Sequence, residues 1–202
     1  PFDDRHGKWS AWPWFPAVGA ADDAAWNWYF TLGAFRPDQG GTYRRRRGQR
    51  DAVQGVMLDD LGTKVDAAKL AALPPSIWVE TSAGNFQAIY LFREPVTDFA
   101  TADALQDALL TAKLSDNGAT GAGTRYCRMP FAVNGKHSPP HQCRLAEWRP
   151  DRRYTIDEIV QGFGLQLHPA RAIRRTQATR TELWDGKSPA EQARGIQDLR
   201  SA

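Results

Sequence analysis

No apolar run in this sequence approaches the ~20 residues that a membrane span needs, and no signal peptide is visible. A cytoplasmic protein with no membrane partner is the expectation. The pattern GxxxxGK[ST] is absent, so an ATPase engine is not expected within these residues. The lack of a Gly-x-Ser-x-Gly elbow leaves serine hydrolase chemistry without support. Cysteine is scarce. Both copies, Cys127 and Cys143, fall with His137 and His141 inside a 17-residue stretch. These are zinc-ligand types, but Cys-x9-His-x3-His-x-Cys is not a standard finger spacing. Cys127 falls in an expected strand, where a buried free thiol is the usual state. No internal repeat is evident.

What remains is a chain of 202 residues, 42% hydrophobic and 24% charged, which suits one globular domain with a real core plus some tail. It opens without an initiator Met and closes on a charged helical stretch, so a piece of a longer protein is expected. Net charge is only +3, unevenly spread. Arg44, Arg45, Arg46 and Arg47 form a basic run; Arg125, Arg128, Lys136, Arg144, Arg149, Arg152 and Arg153 crowd the later core. Clustered arginine suits phosphate, which it meets bidentately, although a solvated basic face is the plain alternative. Of eight Trp, five (Trp9, Trp12, Trp14, Trp26 and Trp28) lie near the N-terminus. Core packing is their commoner use; stacking on unpaired bases is the other.

Residues 1–25 read as an irregular Trp-rich segment, residues 26–168 as the main domain, and residues 169–202 as a linker with a C-terminal helix opened by Ser188-Pro189. Within the domain, Trp26 to Phe35 reads as a first strand and Ala52 to Leu58 as a buried one. Asp66 to Leu73 reads as a short helix. Ser76 to Thr81 and Phe86 to Phe92 form a hairpin around Ala83-Gly84-Asn85. Thr97 to Leu114 is the clearest helix, with Thr97 or Asp98 as N-cap. Tyr126 to Met129 and Gln142 to Trp148 read as strands, and Thr155 caps a helix ending near Gly162 or Gly164. The order implies an α+β domain with a mainly antiparallel sheet and flanking helices.

Three polar stretches carry chemistry. Asp59-Asp60 ends an apolar strand, and magnesium takes one or two carboxylates plus substrate phosphates. The plain reading is an Asx-type turn. Neighbouring side chains of an ideal strand point to opposite faces, so both acids serve one ion only where the strand ends or bulges. Gly84-Asn85-Phe86-Gln87 is a tight turn with amide donors, and alone it is an ordinary hairpin. Arg125, Arg128, Asn134 and Lys136 bring cations together that a triphosphate, or the nearby carboxylates, would relieve.

These stretches, in this order, resemble the archaeo-eukaryotic primase superfamily, in particular the RepB-like primase and primase-polymerase domains of phage and plasmid replication proteins. The similarity spans roughly residues 26–165. There, VMLDDLGTK matches a strand-end metal motif, with acids adjacent where the superfamily usually separates them by one residue. Ser82-Ala83-Gly84-Asn85-Phe86-Gln87 is similar to the phosphate-contacting motif, with Gln87 at the usual His. Arg128-Met129-Pro130 through Asn134 and Lys136 matches the third. Asp116 is the candidate third acid, with Gly121 at the place nearer that motif.

The resemblance implies an RRM-like sheet with helices on one face and the active site on the other. It implies DNA-templated synthesis from nucleoside triphosphates, with Mg2+ or Mn2+ as cofactor, single-stranded DNA as template, and a helicase domain or partner in the longer chain. Asp59, Asp60 and Gln87 are then the expected catalytic residues, and Asp59, Asp60 and Asp116 the metal ligands. Lys64, Ser82, Gly84, Asn85, Gln87, Arg125, Arg128, Asn134 and Lys136 are the expected nucleotide-binding residues; Arg44 to Arg47 would track DNA. The rival expectation is a replication-initiation module that binds DNA without catalysis. A zinc-stabilised DNA-binding domain is the third.

Overall fold

Long apolar strands need cover on both faces, and this fold supplies it asymmetrically. The computed structural model describes residues 27–41 and 45–168. The Trp-rich segment 1–25, Arg44 and the C-terminal linker helix lie outside the described residues. The central strands are β3 (Arg50–Leu61) and β5 (Asn85–Val96), paired antiparallel along most of their length. β4 (Ile77–Ser82) lies on the other edge of β5, β9 (Arg144–Trp148) beyond it, and β2 (Gly33–Phe35) outside β3. The order is therefore β2-β3-β5-β4-β9, antiparallel at every step. β10 (Arg153–Tyr154) pairs parallel with Leu91 and Phe92, past the point where β4 stops.

Two helices cover one face. α1 (Phe99–Thr111) starts at Asp98, whose carboxylate accepts from the N–H groups of Ala100 and Thr101. α2 (Ile156–Phe163) has a capping box between Thr155 and Glu158 and ends at Gly164. Val56 and Leu58 of β3 and Ala88, Tyr90 and Phe92 of β5 meet Leu105 and Leu109 of α1 and Ile159 of α2 there. The alternate residues Met57 and Ile89 point to the second face, where they pack with Val79, Leu32, Cys127 and Cys143. Among the described residues that face is covered in part, by the short antiparallel pairs β1 (Tyr29–Thr31) with β6 (Tyr126–Arg128), and β7 (Val133–Asn134) with β8 (His141–Gln142).

The structure departs from the sequence pattern at three places. The expected strand Trp26–Phe35 breaks at Leu32: β1 joins β6 while β2 joins β3. The expected strand Gln142–Trp148 breaks at Cys143, whose N–H and carbonyl are taken by Ala132 and Phe131 before β9 turns to β4. Asp66–Leu73 is only a 3-10 turn at Ala67–Leu70, capped by the Asp66 side chain. In the two strands, pairing partners distant in sequence override a locally uniform pattern.

Candidate active site

Strand β3 delivers Asp59 to the face away from the helices. Its neighbour would normally point to the opposite face, but the β3–β5 register shifts between Leu58 and Leu61, and Asp60 takes a φ of +58°. Both acids thereby meet side chains of one strand. Asp59 Oδ1 accepts from Gln87 Nε2 at 3.1 Å, and Asp60 Oδ1 from Asn85 Nδ2 at 3.0 Å. Asn85 and Gln87 are two apart on β5 and share a face. Thr63 Oγ1 donates to Asn85 Oδ1 at 2.8 Å. Gly62 lets the two loops touch: a Cβ there would lie 2.4 Å from the Gly84 carbonyl oxygen.

The loop after α1 is stitched to the same point. Ser115 Oγ lies 2.8 Å from Asp59 N, and Asp116 N donates to the Asp59 carbonyl at 3.2 Å. Lys64 bridges two carboxylates, with Nζ 2.7 Å from Asp60 Oδ2 and 3.3 Å from Asp116 Oδ1. Burial pushes the Asp60 carboxyl up, but hydrogen bonds from Lys64 and Asn85 and the charges of Lys64 and Lys136 outweigh it, leaving it below its ordinary value. The same hydrogen bonds to Asp60 and Asp116 hold Lys64 above its own.

Arg125 reaches Asp59 Oδ2 at 3.3 Å with its side chain partly exposed. Arg128 turns away: it is buried, donates to Asn27 Oδ1 at 2.7 Å and lies over the Tyr29 ring. Its backbone N–H is held by Gln87 Oε1 at 2.8 Å. Gln87 is thus a buried clip between Asp59 and β6, engaged at both ends of its amide. Asn134 is also buried, donating to the Thr81 carbonyl at 2.7 Å and accepting from Lys136 N at 3.2 Å. Ser82 and Gly84 lie at the β4–β5 turn, where Gly84 N donates to Glu80 Oε1 at 3.2 Å.

Of the basic run, Arg45 lies over the Tyr126 ring, 3.6 Å from its centroid. Arg46 is exposed, and Arg47 faces Asp103 at 3.7 Å. Gly121 cannot be the seat of a third acid without strain: its φ is +83°, and a Cβ would lie 2.6 Å from Thr124 Oγ1. Ser115, Asn27 and Tyr126 join this neighbourhood with no local sequence signal. The zinc reading is not supported. Cys127 and Cys143 are free, burial pushes both thiols up, and no three His, Cys, Asp or Glu among the described residues form a group able to hold a metal.

The archaeo-eukaryotic primase domain of the cyanophage S-2L primase-polymerase matches this backbone with a TM-score of 0.58 at 20% identity, over 80% of this chain and 85% of that one. The chain has the archaeo-eukaryotic primase fold. Two structures of primase RepB′ also align, one of them a catalytic domain in complex with initiator DNA. Each has a TM-score of 0.44; identities are 20% and 19%, covering 75% and 64% of this chain and 47% and 82% of theirs. No family model matches the sequence, and no curated protein does. In this primase fold, the acid cluster occupies the sheet face opposite α1 and α2. No helix among the described residues is long and apolar enough to cross a membrane.

The donor chemistry around Asp59 and Asp60 fits a divalent cation held by two carboxylates, because the bulge brings both to one face and hard cations take oxygen ligands. A preformed three-acid site including Asp116 does not fit, since Lys64 already bridges Asp60 and Asp116.

Proposed function

We propose that this chain is the catalytic domain of a DNA primase or primase-polymerase, carrying out metal-dependent, template-directed nucleotidyl transfer from NTPs or dNTPs on single-stranded DNA. The observation that carries the reading is the left-handed bulge at Asp60, which turns adjacent acids onto the Asn85–Gln87 side of β5. A strand carrying two acids in sequence presents both to one ion only where it ends or bulges.

In this reading Asp59 and Asp60 hold Mg2+ or Mn2+, which would neutralise triphosphate charge and favour ionisation of the attacking 3′-hydroxyl. Gln87 fixes the Asp59 carboxylate and the start of the β6 turn. Arg125 and Lys64, both paired with these acids and partly exposed, are the cations free to move onto phosphate oxygens. Lys136 adds charge beside Asp60. Arg45 and Arg46 follow the template backbone. A helicase domain or partner would complete the replicative assembly.

A second reading has its own observation. Gln87 is engaged at both ends and Asp116 is bound to Lys64, an arrangement that also suits a replication module binding DNA without catalysis. Primer synthesis and extension on single-stranded DNA with Mn2+ or Mg2+, comparing wild type with Asp59→Ala/Asp60→Ala, separates the two. Metal-dependent product lost in the variant supports the polymerase. Intact DNA binding without product from wild type supports the binding module.

A further inference from the structure

The turn after β6 carries a side chain that neither backbone preference nor burial explains. Met129-Pro130-Phe131-Ala132 closes as a β-turn, with Ala132 N donating to the Met129 carbonyl at 3.2 Å. Phe131, directly after the proline, has a φ of +71°. That position of a Pro-containing turn favours glycine or asparagine, because a Cβ in the left-handed region crowds the following carbonyl oxygen. Phenylalanine stands there regardless, and its ring is not sheltered: Phe131 is 66% exposed and Met129, beside it, 47%. A large apolar side chain in a strained conformation persists where the surroundings over-determine it, and such positions cluster at ligand contacts.

The turn is pinned from several directions. Met129 N donates to the Trp28 carbonyl at 3.0 Å, Phe131 N to the Cys143 carbonyl at 3.0 Å, and Cys143 N to the Ala132 carbonyl at 2.8 Å. The preceding residue, Arg128, is held through its N–H by Gln87, which holds Asp59 in turn. A rigid frame therefore joins the exposed ring to the carboxylates. The surrounding segment 125–149 carries Arg125, Arg128, Lys136, Arg144 and Arg149 against the single acid Glu147, a balance that favours a polyanion.

We propose that Phe131, backed by Met129, is a stacking platform for an unpaired base of the single-stranded DNA template beside the acid cluster. Every base has a π-face, so the contact works without sequence preference. The strand's identity as template rests on the proposed function; the stacking itself does not need catalysis.

The test is equilibrium binding of a fluorescein-labelled single-stranded oligodeoxynucleotide without divalent metal. Wild type, Phe131→Gly and Phe131→Tyr are compared on an ordinary strand and on one with abasic sites. Phe131→Gly is expected to lose roughly ten-fold in affinity on the ordinary strand, Phe131→Tyr to retain it, and the abasic strand to bind wild type and Phe131→Gly alike. Thermal unfolding of Phe131→Gly at or above the wild-type midpoint is expected, because glycine relieves the left-handed strain, which separates lost stacking from lost fold. Equal affinity of wild type and Phe131→Gly on the ordinary strand overturns the platform, as does an equal loss on the abasic strand. Wild type that binds no single-stranded DNA overturns the replicative reading as well.

Discussion

Gln87 Nε2 donates to Asp59 Oδ1 at 3.1 Å while Gln87 Oε1 accepts from Arg128 N at 2.8 Å, so one amide ties the acid end of β3 to β6, the strand that leads into the Phe131 turn. Gln87 is only 5% exposed, and water cannot readily replace it. Substitution by leucine of similar size leaves a buried N–H and a carboxylate oxygen short of a partner, at a cost of about 1–3 kcal/mol. Gln87→Leu is expected to lower the urea midpoint accordingly and to reduce primer synthesis. A variant with unchanged midpoint and activity would show that the clip carries neither.

Arg50 and Asp103 form the most deeply buried ion pair among those described, with hydrogen bonds at 2.8 and 2.9 Å and a further bond from Arg50 to the Ala122 carbonyl at 3.1 Å. The pair joins the start of β3 to α1 and to the loop that carries Gly121 and Ala122. Removing one partner strands a buried charge, so Asp103→Leu should destabilise by about 3–5 kcal/mol. Arg50→Met/Asp103→Leu should recover much of that loss in chemical denaturation. Simple additivity of the two single changes would contradict the argument.

Asp60 has a folded-state pKa below its ordinary value of 3.8. A depressed carboxylate stabilises the fold above its unfolded pKa, and that contribution disappears as pH falls from about 3.8 through the folded value. Asp60→Asn should therefore show a flatter acid limb of stability against pH than wild type. Lys64 carries the opposite sign. Its raised pKa stabilises below 10.5 and is lost as pH rises past that value through the folded one, so Lys64→Met should flatten the alkaline limb. Wild-type slopes in both variants would remove the network from the stability account.

Divalent metal binding to Asp59 and Asp60 should stabilise the fold by mass action, about 2.7 kcal/mol at a hundred-fold excess over Kd. Thermal unfolding with Mn2+ is expected to shift upward in wild type and not in Asp59→Asn/Asp60→Asn. An equal shift in both proteins would place the ion elsewhere.

Much of this architecture is written locally. The apolar run ending at Asp59-Asp60, the hairpin around Gly84, the Asp98 cap of α1 and the Thr155–Glu158 capping box with Gly164 each depend on residues a few positions apart, which is why the α+β, mainly antiparallel reading holds. The sequence by itself located the strand that carries Asp59 and Asp60 and the hairpin turn that carries Gly84 and Asn85. It did not determine where they meet. Asp59 takes partners 28, 56 and 66 residues away, in Gln87, Ser115 and Arg125. The strand breaks at Leu32 and Cys143 arise because the flanking residues find partners in different sheets. The left-handed turn at Asp60 is likewise a tertiary decision: an aspartate followed by Leu-Gly can leave a strand in several ways, and pairing of β3 with β5 selects the one that sets two neighbouring carboxylates on one face.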